Sequence, residues 1–198
     1  MSNVTPAVQL WTIGHSNHTS EHLVELLQGA GIEVLVDVRS QPYSRFSGHF
    51  NQEALKVSLG EAGLRYLFLG RELGGRPPEP EMYDEDGHVL YGEVAKSERF
   101  RAGLERLIAG ASQYRVAMMC SEENPADCHR RLLIARVLRD EGVGVTHIRG
   151  DGDLVSEVEL SRDVDGPEQP TLFGEEERPW RSIRSVSRST PPRSSSSH

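Results

Sequence analysis

From Val8 to Ile148 the chain alternates short apolar runs with amphipathic stretches. VQLWTIG is apolar and closes on Gly14, His15 and Ser16, which reads as a first strand ending in a turn. SEHLVELLQGAG follows, with Leu23, Leu26 and Leu27 at helical spacing, Ser20 as its predicted cap, and Gly29 and Gly31 as its stop. IEVLVDVRS is almost continuously apolar before it ends in charge, the pattern of a strand covered on both faces. NQEALKVSLGEAG predicts a second helix and LRYLFLG a third strand. Gly74 to Gly92, rich in Gly, Pro and acids, reads as a long loop. SERFRAGLERLIAGA sets Phe100, Leu104, Leu107 and Ile108 on one helix face. YRVAMMC predicts a strand, PADCHRRLLIARVLRDEG a helix and VGVTHI a last strand.

Strands alternating with helices predict a three-layer α/β sandwich, Rossmann-like, with a mostly parallel sheet. One domain is expected over residues 1–163. Residues 164–198 lose the apolar period, are rich in Pro, Ser and Arg, and are expected to form a disordered tail. No apolar run reaches the roughly 18 residues that span a bilayer, so no membrane partner is expected. The N-terminus lacks the pattern of a secretory signal, and two cysteines make no disulfide framework. A cytoplasmic protein with reduced thiols is the expectation.

The net charge of −8 argues against nonspecific coating of nucleic acid. The average hides two basic segments. Arg178 to His198 holds five arginines and no acid, and Arg39 to Arg76 holds six basic residues against three acidic ones. The second is either an anion site or a set of scattered surface arginines.

In open α/β sheets ligands bind beyond the carboxyl ends of the strands. The polar residues fall there on the predicted frame: Gly14, His15 and Ser16 after the first strand, Asp37, Arg39 and Ser40 after the second, Cys120 and Glu122 after YRVAMMC, and His147 near the last. Both cysteines lie in RVAMMCSEENPADCHRRLLIARVL. Asn124 is a predicted helix cap and Pro125 suits the first helical position, which puts Cys128, His129 and Arg130 near a helix N-terminus. That geometry favours a phosphate, a carboxylate or a thiolate. Each residue also has a plain reading: Cys128 as a packed thiol, Glu122 as a cap, Asp37 and Arg39 as an ion pair, and His15 as a hydrogen-bonding loop residue. The Cys-x7-Cys-His spacing matches no zinc pattern, so neither a metal nor a cofactor is expected.

TIGHSN, LVDVRSQPYSRFSGHFN, GLRYLFLGRELGGRP, MMCSEENPADCHRRLLIA and VTHI together resemble the bacterial and archaeal domain of unknown function 488, from Thr12 to about Ile148. The resemblance implies a shared site whose motif positions here are Gly14, His15, Ser16, Asp37, Arg39, Pro42, Ser44, Arg45, Phe50, Gly74, Gly75, Cys120, Glu122, Cys128, His129 and Arg130. A weaker likeness is to rhodanese-type sulfurtransferases, through VLVDVRS and VAMMC. The loop after Cys120 departs from theirs, since it carries Glu122, Glu123 and Pro125. Two carboxylates disfavour a thiolate and proline removes a donor. In the tail, QPTLF, Gln169 to Phe173, resembles the peptide with which bacterial repair proteins dock to the DNA sliding clamp, through Gln169, Leu172 and Phe173. The alternative is that Leu172 and Phe173 fold back onto the domain.

These readings favour an enzyme acting on nucleic acid or a nucleotide, with DNA preferred, in repair or base modification such as glycosylase-like base excision. Arg39, Arg45 and Arg130 would hold phosphate, aided by Gly14, Ser16 and Ser44. Tyr43, Phe46 or Tyr66 would stack a base. Asp37 or Glu122 would be the general acid or base, with His15 or His129 assisting. One alternative is a thiol enzyme on a small molecule, sulfurtransferase-like, with Cys120 as nucleophile and Cys128 supporting it. Another is a noncatalytic nucleic-acid-binding module.

Overall fold

The structure, a computed structural model, describes residues 8–44, 47–165 and 180–186. Five parallel strands, β1 (Gln9–Gly14), β2 (Val34–Asp37), β3 (Arg65–Phe68), β4 (Val116–Cys120) and β5 (Gly144–Ile148), and an antiparallel β6 (Leu154–Ser156) form one sheet in the order β3-β2-β4-β1-β5-β6. The chain first winds outward through α1 (Ser20–Gly29) and α2 (Gln52–Glu61), then reverses through α3 (Gly70–Leu73), α4 (Tyr91–Lys96) and α5 (Glu98–Ala111). Crossovers between parallel strands are right-handed, so a reversal of winding puts the second set of helices on the opposite face. The result is the three-layer α/β sandwich expected.

Side-chain alternation divides the core accordingly. Leu35, Ala117 and Met119 join Leu23, Leu27, Leu55 and Leu59 under α1 and α2. Val34, Val36, Val38, Val116, Met118 and Cys120 join Leu73, Phe100, Leu104 and Leu107 on the other face. Cys120 therefore points into the layer that also receives Cys128 and Leu133.

Local chemistry explains where the elements depart from the sequence reading. The cap of α1 is Thr19, whose hydroxyl accepts from the His22 N–H, so Ser20 is the first helical residue. Asn124 caps as expected, accepting from the Ala126 N–H, but it caps only a one-turn 3-10 helix, Pro125–Asp127. Cys128 is then extended, with φ −111° and ψ 141°, and breaks the single helix expected there. The chain restarts as a π-helical turn, Arg130–Ala135, before α6 (Arg136–Asp140). The π-turn lets consecutive Arg130 and Arg131 side chains be buried together, a distortion found often at functional sites. The long Gly74–Gly92 loop holds a 3-10 turn, Pro80–Met82, and runs into α4. A last helix, α7 (Glu157–Asp165), follows β6.

Part of the tail belongs to the fold. Residues 180–186 pack on the domain: Trp180 donates its indole N–H to the Leu132 carbonyl at 2.7 Å, Arg136 lies 4.4 Å over the Trp180 ring, and the Ser182 N–H reaches the Val89 carbonyl. The clamp-like residues Gln169, Leu172 and Phe173 lie outside the described residues. Among the described residues no helix is long and apolar enough to cross a membrane. Trp180→Ala removes the anchor of this segment and is expected to cost about 2 kcal/mol. A urea melt against wild type measures it.

Candidate thiol-lined site

The parallel strands deliver Gly14, Asp37 and Cys120 to one edge of the sheet, as expected from sequence. Their side chains do not form one site. They separate into two clusters on opposite faces, joined by the backbone at Val38–Arg39.

The first cluster is a closed ion-pair network. Asp37 and Arg39 are 0% and 4% exposed. Arg39 Nε and Nη2 donate to the Asp37 carboxylate at 2.9 and 2.6 Å, and Nη2 also donates to the Phe50 carbonyl at 2.8 Å. The Tyr66 hydroxyl donates to Asp37 Oδ2 at 2.9 Å. Arg39 Nη1 points at His15 Nε2, 3.2 Å away, so that nitrogen is the acceptor and the His15 proton sits on Nδ1, facing the Ser16 carbonyl at 2.9 Å. Burial and then the Arg39 charge push the His15 pKa down to about 4. Burial and the Asp37 carboxylate push Tyr66 up. Arg39 is held by Asp37, the Phe50 carbonyl and His15, Asp37 is fully buried beneath it, and Tyr66 is half-buried with its hydroxyl on Asp37. In the structure these four side chains hold one another, and their contacts add no support to the acid–base roles expected of Asp37 and His15, the phosphate role expected of Arg39 or the stacking role expected of Tyr66.

Arg130 is also structural. It is 0% exposed and donates to the Glu122 carbonyl, to the Glu123 carbonyl at 2.6 Å and to the Thr12 hydroxyl at 3.3 Å. It shapes the loop after β4 and does not reach a phosphate. The same loop is pinned from β1, where His15 and Ser16 donate backbone N–H groups to the Cys120 and Ser121 carbonyls. Ser16 takes φ +47° to do so. A Cβ at Gly14 would overlap the Glu122 carbonyl, so Gly14 serves close packing. Ser44 shapes the β2–α2 loop, its N–H on Asn51 Oδ1 at 2.7 Å and its hydroxyl accepting from Ser47. Arg45 and Phe46 lie outside the described residues. His147, expected near the rim, is instead buried between Thr12 (2.7 Å) and Glu157 (2.8 Å).

The second cluster faces a cavity of about 550 Å³. Cys120 and Cys128 both donate to one oxygen, Glu122 Oε2, at 3.0 and 3.1 Å. His129 Nδ1 lies 3.5 Å from the Cys120 sulfur and 3.8 Å from that of Cys128. His129 Nε2 lies 3.1 Å from the Val38 carbonyl, which only accepts. The proton of a neutral His129 is thus on Nε2, and the Nδ1 lone pair faces both sulfurs. Gly75 leaves room for this ring: a Cβ there would stand 2.7 Å from its Cγ. Hydrogen bonding to Cys128, then burial, push the Cys120 thiol up. Burial opposes ionisation of Cys128 as well, but the Cys120 thiol, Arg130 and His129 bring it well below the usual thiol range. Burial also opposes a charged His129, yet its contacts with Cys128 leave it raised.

Further residues complete the cavity. Tyr43, a stacking candidate from sequence, stands on the rim, and residues not singled out there join it: Tyr91 beside the thiols, Arg76 on the rim, and Ser182 to Val186 as one wall. The signal for that wall was Trp180, a large aromatic in an otherwise polar tail.

A family model described as Domain of unknown function DUF488 matches residues 19–137. The chain belongs to this family. The match takes in Asp37, Gly75, Cys120, Glu122, Cys128 and His129, so both clusters of this DUF488 chain fall in the family region, while Gly14 and His15 precede it. No curated protein and no solved structure matched the chain.

Two predictions test the split. Asp37→Asn leaves a buried guanidinium without its anion and is expected to destabilise the fold by about 3 kcal/mol, read by chemical denaturation. His15, held near 4 in the fold against 6.5 unfolded, takes up a proton more readily when unfolded. Stability is full above pH 6.5 and drops by about 3 kcal/mol as the pH falls to 4. His15→Gln, which keeps an acceptor for Arg39, flattens that part of the curve.

Proposed function

We propose that the protein is an enzyme that uses its two cysteines on a small polar molecule bound in the cavity. The observation that carries this reading is the placement of His129: its Nδ1 faces both sulfurs while its far nitrogen is anchored on the Val38 carbonyl. A nucleophile, a base and a group that orients the base are the parts of nucleophilic catalysis. The reacting sulfur is Cys128, with Cys120 as the supporting thiol, which exchanges the roles expected from sequence. In the step, Cys128 gives its proton to His129 Nδ1. A sulfur electron pair forms a bond to an electrophilic atom of the substrate, and the leaving group departs with its bonding pair.

A nucleotide is the second reading of the substrate, favoured by Tyr43, 68% exposed, and Arg76, which line the same cavity. It keeps the nucleic-acid component expected from sequence but transfers the chemistry from Asp37 to the thiols. Glycosylase action and DNA repair have no support in the described contacts, because Arg39, Arg130 and Asp37 are engaged within the fold, and the clamp-like residues lie outside the described residues.

Glu122 sets the test. Its carboxylate covers both sulfurs, which are 4% and 1% exposed, and its charge opposes a thiolate. Iodoacetamide at pH 7 is expected to alkylate the native protein at Cys128, located by peptide mass mapping. Glu122→Gln removes the charge at constant shape, and Cys128, already favoured as the thiolate by Cys120, Arg130 and His129, is expected to remain the alkylated residue. Thiols that react only after unfolding, in wild type and Glu122→Gln alike, would defeat the reading.

A further inference from the structure

The same centre has the donor set and spacing of a metal site. Three unlike elements bring three soft or borderline donors together: Cys120 from the end of β4, Cys128 from the extended residue before the π-turn, and His129 from its start. Their Sγ, Sγ and Nδ1 atoms all lie within 4.8 Å of one another. Zinc holds thiolate sulfur at about 2.3 Å and imidazole nitrogen at about 2.0 Å, which makes the N–S edge of a tetrahedron about 3.5 Å. The two N–S separations here are 3.5 and 3.8 Å. The ring is also held as a ligand ring is held, with its remote N–H on a backbone carbonyl and the free lone pair turned to the sulfurs.

We propose that Cys120, Cys128 and His129 bind a zinc-class divalent cation, with the fourth position open to the cavity beside Glu122. This rests on the reading that the cluster is the reactive centre, and it supplies what that centre lacks. Both sulfurs lie within hydrogen-bond reach of Glu122 Oε2, and the Cys128 proton is shared with His129 Nδ1. Cation binding displaces the Cys120 proton and the proton shared by Cys128 and His129, leaves an electron pair on each sulfur as a metal–sulfur bond, and releases two protons to solvent. The ion's two positive charges cancel the two thiolates, and nothing is oxidised or reduced. Glu122 loses both donors and is freed to accept from a water or substrate hydroxyl in the fourth position. A coordinated thiolate remains a nucleophile, so with the ion bound the cation takes over the activation of the sulfur, and His129 Nδ1 serves as a ligand in place of its role as base. Three protein ligands with an open position are the mark of a working site, whereas closed four-ligand sites are structural.

Nothing in the spacing Cys-x7-Cys-His suggested this. Metal patterns read from sequence assume two ligands one helical turn or one tight loop apart. Here the first ligand is on a strand and the others lie beyond a 3-10 turn, so only the fold sets the distances.

The test uses the full-length protein, purified with reductant and then stripped by chelator. Titration with cobalt(II) is expected to load one ion per chain, with tetrahedral d–d bands in the visible and a sulfur-to-cobalt charge-transfer band in the near ultraviolet. Zinc should displace it with submicromolar affinity, release close to two protons per ion, and shield both thiols from a thiol-titrating reagent until chelator is added. Cys128→Ser and Cys120→Ser should each remove most of the charge-transfer intensity and weaken zinc binding at least a hundredfold. Should these variants misfold, the thiol-shielding and proton-release measurements on wild type decide alone. Cobalt bands without sulfur charge transfer, or zinc that leaves both thiols titratable, overturn the proposal. If stripped protein takes up no cobalt while Cys128 is still alkylated in the native state, the cation site falls and the thiol-enzyme reading stands. If cobalt binds through sulfur but the stripped thiols react only on unfolding, the site stands and that reading falls.

Discussion

The buried guanidinium of Arg130 is the interaction on which the site depends. Its partners are neutral oxygens: two consecutive carbonyls of the loop after β4 and the Thr12 hydroxyl of β1. Placing a cation at 0% exposure is costly unless its donors are filled. The Glu122–Glu123 backbone is therefore drawn inward and held against β1, close enough that only glycine fits at position 14. That inward pull turns the Glu122 side chain over the two sulfurs. The charge itself is left without a carboxylate, and it biases Cys128, two residues away, toward the anion. One residue thus shapes the loop and sets the electrostatics, which is why it resembles a ligand-binding arginine when only the sequence is in view.

The second constraint is strand alternation. Consecutive residues of a strand face opposite sides of a sheet, so gathering polar residues at one edge does not gather their side chains. Asp37 follows Leu35 onto the α1–α2 side, where it meets Arg39, His15 and Tyr66. Cys120 follows Val116 and Met118 onto the other. Val38 joins the two, since its side chain and carbonyl serve the thiol layer while its neighbours Asp37 and Arg39 are paired on the other face. The ion-pair network on one face thereby fixes the backbone that orients the base on the other.

The strands and most helices were legible because each carried its own period and stop: VAMMC, apolar and buried at every position, Phe100 and Leu104 on α5, and the cap of α1 to within a residue. The arrival of Gly14, Asp37 and Cys120 at the strand ends was legible too, and so was the grouping of Cys120, Glu122, Cys128 and His129. What was hidden has one common cause. Whether an arginine or an aspartate serves a ligand or the fold depends on burial and partners, which only tertiary structure assigns. Asp37, Arg39 and Arg130 look identical to catalytic residues in sequence. The break at Cys128 was hidden for a related reason: PADCHRRLLIARVL has helical composition throughout, and the need to aim Cys128 and His129 at Cys120 overrides it.

The charge of the thiol centre links its two readings. With Arg130 positive, Glu122 negative, both thiols protonated and His129 neutral, the group is balanced. Transfer of one proton from Cys128 to His129 keeps that balance, and the two residues support each other's charge. Removal of the second thiol proton has no internal compensation, because Arg130 is already matched and Arg39 is spent on Asp37. The protein alone can therefore make one thiolate here and not two. A second thiolate requires charge from outside, and a divalent cation among two sulfurs and an imidazole lone pair brings the amount needed. The second cysteine thus has a place in both readings: as a hydrogen-bonding thiol it steadies the one thiolate that the protein can make alone, and as a second sulfur it completes the donor set for a cation.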